Sequence, residues 1–399
     1  MLTIDKVFHA SVVLKNIIRP TPLAKAYGIA PDCSLYLKPE NLQRTGSFKV
    51  RGSGYKIAML SEEEKQHGVI ACSAGNHAQG VALAASKCGI SSLICLPDSA
   101  PISKVEATKS YGAQVCLVEG CYDDAYAKAL ELKEEKGYTF VHPFDDENVI
   151  AGQGTIGLEI INDLDDIDAV IVPIGGGGLI SGVAYAIKSI RPSIKVYGVQ
   201  AAGAPSMFNS IHHSQIETLD SVSTIADGIA VKRPGEITFD MVQKYVDDIA
   251  VVTEDEISSA ILALIEKQKM IAEGAGAVSV AAAMFNKFPI QGKKVVSLVS
   301  GGNIDVTSLS RVIERGLMKS GRSTSLLIEL GDKPGQLKDV SRIIADCGGN
   351  VTSVHHERAS DTESINGCYL SIAMETRNYD HVQEITQALK REGFKIVEK

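Results

Sequence analysis

Asp168-Ala169-Val170-Ile171-Val172-Pro173-Ile174-Gly175-Gly176-Gly177-Gly178-Leu179 decides the fold of this 399-residue chain. Residues 168–174 form a continuous apolar run of strand length, the pattern of a strand covered on both faces. Consecutive glycines follow, and residues 179–190 then read as a helix. A strand, a glycine loop and a helix N-terminus together make an anion cradle. Backbone without side chains lets N–H groups reach a phosphate, and the helix dipole favours its charge. Spacing excludes two nucleotide-binding loops. A Walker loop needs Lys-Ser/Thr after Gly182, where Val183-Ala184 stand; a G-x-G-x-x-G fingerprint from Gly175 needs glycine at 180, where Ile180 stands. Taken alone, the glycines also fit a plain tight turn.

Outward from this stretch, apolar strand-like runs alternate with helical ones. Strand-like runs lie at 68–72, 92–96, 114–118, 169–174, 195–200 and 295–300, with helical patterns such as 102–111 and 123–136 between them. Such alternation implies an α/β fold of parallel strands joined by crossover helices. The glycine loop and the loop at Ser300 both follow apolar strands. Ligands of open α/β sheets bind beyond the carboxyl ends of strands, so the two loops converge on one site.

Lys49 sits in Thr45-Gly46-Ser47-Phe48-Lys49-Val50-Arg51-Gly52. It follows an aromatic residue, small residues and the apolar run 34–37, which turns it inward at the mouth of a pocket. A desolvated lysine has a depressed pKa and becomes an amine nucleophile, the state that forms a Schiff base with an aldehyde. By itself Lys49 also reads as a helix-opening residue that snorkels to water. Ser73-Ala74-Gly75-Asn76-His77 lies between strand-like 68–72 and helical 78–88. This is a second loop-to-helix anion site, suited to a substrate carboxylate. An ordinary helix start capped by Asn76 fits the same residues.

A phosphate-bearing aldehyde held by a lysine describes pyridoxal phosphate. Ser47-Phe48-Lys49-Val50-Arg51-Gly52, Ser73-Ala74-Gly75-Asn76-His77-Ala78-Gln79-Gly80, Gly175 to Leu179 and Ser300-Gly301-Gly302-Asn303 occur in this order. Through them the chain resembles the threonine ammonia-lyases (threonine dehydratases). These are fold-type II pyridoxal-phosphate enzymes, related to serine dehydratases and serine racemases. The likeness covers residues 1–318, and it implies a two-lobed catalytic domain with parallel or mixed sheets, its small lobe at about 45–144.

The resemblance also implies roles. Lys49 carries the cofactor and, once released, shuttles the Cα proton. Phe48 packs beneath the pyridine ring, and Asn76 donates to the ring hydroxyl oxygen. Gly175, Gly176, Gly177, Gly178 and Leu179 cradle the phosphate, while Ser73, Ala74, Gly75, Asn76 and His77 shape the substrate pocket. Ser300 meets the pyridine nitrogen. A carboxylate there would hold that nitrogen protonated and favour long-lived carbanions; a neutral hydroxyl does not, so loss of a β-hydroxyl becomes the favoured exit.

Two further positions separate this chain from serine racemases. Those relatives carry a second serine, an acid–base group, where Ala74 stands, and alanine has no proton to give. They also bind a divalent cation through carboxylates, where this chain has Gln200, Ala204 and Ser206. A hard divalent ion finds too few anionic oxygens there, so no such metal is expected, while a monovalent ion held by backbone carbonyls stays open. His355 and His356 are adjacent, and adjacent strand residues face opposite sides, so they do not share an ion.

Residues 316–323 are polar, and a linker is expected at 319–323. Beyond it residues 324–330, 335–347, 350–357, 367–374, 379–392 and 394–397 read as βαββαβ, the ferredoxin-like order. With Asp332-Lys333-Pro334-Gly335-Gln336-Leu337 at the first strand–helix turn, residues 324–399 resemble an ACT domain. That likeness implies a small-molecule effector near Gly335 and a homo-oligomer, tetramer or dimer. A purely structural appendage has the same pattern.

A net charge of −8 without runs of basic residues and aromatics argues against nucleic acid. No apolar run is long enough for a membrane span, and the first residues do not read as a signal peptide. The eight cysteines include no C-x-x-C pair and several fall in apolar runs, as in a cytoplasmic protein with reduced thiols. The expected reaction is deamination of L-threonine by β-elimination, with L-serine as a secondary substrate. Serine dehydratase or racemase chemistry, β-replacement and a non-catalytic amino-acid sensor are the alternatives.

Overall fold

The computed structural model describes residues 2–357 and 367–397. Residues 358–366 and 398–399 of the expected C-terminal module lie outside the described residues. The chain divides into two compact units, Met1–Asp305 and Val306–Lys399.

In the first unit the decisive run folds as the strand Ala169–Pro173, every residue of it buried. It lies inside a six-stranded sheet ordered Ala24–Lys25, Ser34–Pro39, Lys294–Val299, Ala169–Pro173, Lys195–Ala201 and Asp248–Val252. The first pair is antiparallel and the rest are parallel. Val170, Val172, Ile180, Val183, Ile187, Val196, Val296 and Leu298 form one apolar core against it. Each such side chain contributes about 1.5–3 kcal/mol when fully buried. The strands stay in step at their carboxyl ends, with Val299 opposite Pro39 and Pro173 opposite Val199. The loops beginning near Glu40, Gly175 and Ser300 therefore leave the sheet on one edge.

A second, all-parallel sheet orders Gln114–Val118, Ser92–Pro97, Val69–Cys72 and Thr139–Phe140. It falls within the interval read as the small lobe. Cys72, Cys95 and Cys116 sit side by side across three of its strands. Burial pushes the Cys72 and Cys95 thiols up to about 12, so both remain protonated thiols.

The helix Lys49–Ala58 packs against Glu147–Asp163 and Asn76–Lys87. A Cβ at Gly152 would lie 2.4 Å from the Arg51 carbonyl oxygen, so only glycine permits this approach. Arg51 is fully buried and donates from Nε to Glu40 Oε2 at 2.8 Å and from Nη2 to Glu40 Oε1 at 2.7 Å. Its Nη1 reaches Glu159 Oε1 at 2.6 Å and Thr155 Oγ1 at 3.1 Å. These charge-assisted bonds fix the first turn of the helix, two residues beyond Lys49.

The second unit opens with the helix Val306–Lys319. An antiparallel sheet follows, ordered Asn350–Glu357, Gly367–Glu375, Ser323–Gly331 and Lys395–Val397, with helices Gln336–Asp346 and Tyr379–Arg391. Ile328, Leu330, Val340, Ile344, Leu370, Ile372, Ile385 and Leu389 fill the space between them. Residues 320–322 connect the opening helix to the first strand of this unit. Helix runs to Lys319 and strand begins at Ser323. The intervening backbone is held as well: Thr376 Oγ1 donates to Gly321 O at 2.6 Å, Thr376 N to Arg322 O at 2.9 Å, and Tyr379 Oη to Lys319 O at 2.9 Å. The compact division falls after Asp305. Among the described residues no helix is long and apolar enough to cross a membrane.

Candidate active site

Lys49 is the first residue of its helix and half-buried. Its Nζ donates to the Pro143 carbonyl at 2.9 Å and lies 5.3 Å from the centre of the Phe48 ring. Burial lowers its pKa from 10.5 to about 8, and the nearby Glu273 charge partly opposes the shift. The positive end of its own helix dipole acts in the same direction as burial. Phe48 packs on its other side against the apolar core of the large sheet.

The loop carrying Lys49 is paired with the loop carrying Ser300. Ser47 and Gly301 form an isolated antiparallel bridge, Phe48 N donates to Ser300 O at 3.1 Å, and Gly302 N to Gly46 O at 2.9 Å. Ser300 is 2% exposed and its hydroxyl donates to the Ala275 carbonyl at 3.2 Å. It brings a neutral dipole to the site, with no charge of its own.

Pro143 also connects the amine to the glycine loop, because its neighbour Phe144 packs on that loop. A Cβ at Gly176 would stand 2.5 Å from Phe144 ring atoms, and one at Gly178 2.7 Å from the Phe144 carbonyl oxygen. Gly177 has φ +100°, a left-handed conformation that favours glycine, and the helix Gly178–Ile190 starts immediately after it. Thr238 Oγ1 holds the loop by donating to Gly176 O at 2.6 Å. The first turn of that helix has N–H groups with no intrahelical acceptor, as an anion requires.

Asn76 begins the helix Asn76–Lys87, with Gly75 at its N-cap and no side-chain cap. The amide of Asn76 is turned to the site. Its Nδ2 donates to Glu273 Oε1 at 2.7 Å, and its Oδ1 accepts from Asn303 Nδ2 at 2.8 Å. One Nδ2 hydrogen suffices for Glu273, which leaves the second for a ligand oxygen. Ser73, Ala74 and Gly75 are half-buried, and the Ser73 hydroxyl accepts from Gly75 N at 3.1 Å. The His77 ring is turned away from the loop. It is 4% exposed, and its Nε2 meets the Val141 carbonyl at 2.8 Å. Burial, and the Lys49 charge after it, lower its pKa to about 3. His77 is therefore neutral and shuttles no proton near neutral pH; what it offers a carboxylate is its backbone N–H.

Two polar residues of this site received no role from sequence reasoning. Glu273 is 5% exposed, and burial, reinforced by the Asp227 charge, lifts its carboxyl to about 7. Its signal was a lone carboxylate before the small, apolar run of the helix Gly274–Met284. Asn303 ties Asn76 to Thr45, whose carbonyl accepts from Nδ2 at 2.7 Å. It stood in the quoted Ser300 motif without a role.

The residues suit pyridoxal phosphate: a desolvated amine, an anion cradle that a Cβ would fill, and a buried neutral hydroxyl. Fold and site together define a pyridoxal-phosphate-dependent enzyme of fold type II. Residues 14–301 match the family of pyridoxal-phosphate dependent enzymes. The L-threonine ammonia-lyase of Thermotoga maritima is 50% identical over 398 residues, 99% of each chain. Among solved structures, threonine deaminase isoform 2 of Solanum lycopersicum in its processed form is 40% identical with a TM-score of 0.74, covering 78% of this chain and 93% of that one. Maize serine racemase is 36% identical with a TM-score of 0.75, covering 80% and 98%. The chain belongs to the threonine ammonia-lyase family of pyridoxal-phosphate-dependent enzymes.

Proposed function

We propose that the protein holds pyridoxal phosphate on Lys49 and the glycine loop and converts L-threonine to 2-oxobutanoate and ammonia, with L-serine as a second substrate. The observation that carries this reading is the placement of the Lys49 amine at Pro143, whose neighbour Phe144 lines the glycine cradle. The bound cofactor supplies the electron sink for the charge left at Cα. Lys49 Nζ, with its pKa at about 8, takes the Cα proton. Backbone N–H groups at the start of the helix Asn76–Lys87 hold the substrate carboxylate. Asn76 orients the ring through its remaining Nδ2 hydrogen. Ser300 would meet the ring nitrogen with an uncharged hydroxyl, which favours loss of the β-hydroxyl over a persistent carbanion. Ala74 has no proton for the opposite face of Cα, and neutral His77 points to Val141, so elimination is favoured over racemisation. Threonine and serine differ by one methyl group, which supports about 1–3 kcal/mol of discrimination in an apolar pocket.

The unit beyond Asp305 is read here as a regulatory ACT module of a homo-oligomer, a tetramer, that takes a small-molecule effector near Gly335. A cavity of about 430 Å³ lies at that turn, lined by Asp332, Lys333, Pro334, Gly335 and Gln336 among others. An effector changes activity only through unequal affinity for two states of the assembly. The test is a 2-oxoacid assay on threonine and serine, repeated with branched-chain amino acids and nucleotides on the full chain and on a chain ending at Lys319. The expected result is threonine turnover by both and an effector response by the full chain only. Absence of 2-oxobutanoate overturns the catalytic reading; an equal response in both chains overturns the regulatory one.

A further inference from the structure

The C-terminal unit collects three chemically matched ligands at one end of its sheet. Asp332 follows the end of the strand Ser323–Gly331, His356 lies in Asn350–Glu357, and Cys368 is the second residue of Gly367–Glu375. Register brings them together, with Leu330 opposite Cys368 and His356 opposite Leu370. A carboxylate oxygen of Asp332, a ring nitrogen of His356 and Sγ of Cys368 all lie within 4.8 Å of one another. His356 Nε2 is 3.0 Å from Cys368 Sγ, and Cys368 is 1% exposed. His355 pairs with Ser371 on the opposite face of the sheet. The neighbouring histidines in sequence therefore share nothing, while the cross-strand neighbours converge. Asp332 and His356 also line the cavity of about 430 Å³ at the Gly335 turn.

We propose that Asp332, His356 and Cys368 bind one zinc ion in the C-terminal unit. Thiolate, imidazole and carboxylate together suit zinc, whereas calcium and magnesium require oxygen ligands throughout. Three protein ligands leave a fourth position for water at the cavity wall. With zinc bonds of about 2.05 Å to nitrogen and 2.3 Å to sulfur, tetrahedral ligands stand about 3.6 Å apart. The His356–Cys368 pair opens by about half an ångström to reach that spacing, which a side-chain rotation of the exposed His356 supplies. The Cys368 S–H bond breaks, the S–Zn bond forms and the proton passes to solvent, one proton per ion. Lys333 on the same turn opposes a cation, and its long stem lets the ammonium stay in water. The site depends on neither the chemistry at Lys49 nor the regulatory reading.

Full-length protein stripped with a chelator is dialysed against zinc chloride, and bound metal is counted by atomic emission. The wild type is expected to retain one zinc per chain and to release one proton for it. His356→Gln and Cys368→Ser are each expected to weaken retention at least about tenfold, while His355→Gln leaves it unchanged. Cobalt in place of zinc should give a thiolate charge-transfer band that Cys368→Ser abolishes. Thermal unfolding of the metal-free variants separates loss of ligand from loss of fold, and the exposed His356→Gln carries the test if Cys368→Ser does not fold. Threonine turnover, assayed in parallel, reports on the catalytic unit and does not enter the count of bound metal. Zinc absent from the wild type, or held equally by both ligand variants, overturns the proposal.

Discussion

Asn76 and Glu273 meet side chain to side chain across 197 positions of sequence, Nδ2 donating to Oε1 over 2.7 Å. The pair joins the small-lobe helix to the helix Gly274–Met284 and holds the Asn76 amide in one orientation. It also places a nearly buried carboxyl within the electrostatic reach of Lys49.

Glu273 makes cofactor-free protein less stable as pH rises. Burial lifts its carboxyl from 4.5 to about 7, so the folded chain keeps a proton that the unfolded chain releases. That stabilisation is complete below pH 4.5 and is lost as pH passes through about 7. Its full size is on the order of 3 kcal/mol. Glu273→Gln should flatten the pH dependence of urea unfolding across this window. Parallel curves for variant and wild type would show that the carboxyl titrates normally.

Arg51 is a buried charge with its partners in place, so removing one partner is costly. Glu40→Ala should destabilise the protein by about 3–5 kcal/mol. Because Glu159 retains part of the pairing, the lower end is expected. Glu62→Ala, at the exposed Lys65 pair, should cost less than about 1 kcal/mol. Denaturant midpoints of the two variants decide the matter, and equal losses would contradict the difference in burial.

Lys49→Ala should fold and lack both the visible absorbance of the Schiff base and threonine turnover. Among the described residues Lys49 is the lysine whose amine meets the Pro143 carbonyl. A variant that keeps the band and its activity would place the reactive amine elsewhere.

Ala74→Ser should introduce slow racemisation of serine, because a hydroxyl then stands on the face of Cα away from Lys49. Chiral analysis of unreacted serine checks this. Rapid racemisation by the wild type would mean that a donor other than residue 74 exists.

Much of the architecture was legible because it is written locally. Apolar runs bounded by small residues gave the strands Ala169–Pro173 and Val69–Cys72 to within a residue. Three edge strands were missed: Ala24–Lys25 is exposed and two residues long, Thr139–Phe140 is two residues long and half-buried, and Asp248–Val252 is only partly buried. None has the pattern that double-sided burial imposes. Glu273 and Asn303 were not given roles for another reason. Their side-chain partners lie about 200 or more positions away, and the local signals, a lone carboxylate before an apolar helix and an asparagine after Gly302, do not name those partners.

The bridge between Ser47 and Gly301 makes the active site a gauge. One jaw carries the amine and the other the hydroxyl, and the opening between them is set by peptide geometry in both loops. Point substitutions retune either jaw and leave the opening unchanged. A single-residue insertion at 46–48 or 300–302 alters the opening itself, so such a variant is expected to fail with every side chain of the site still present.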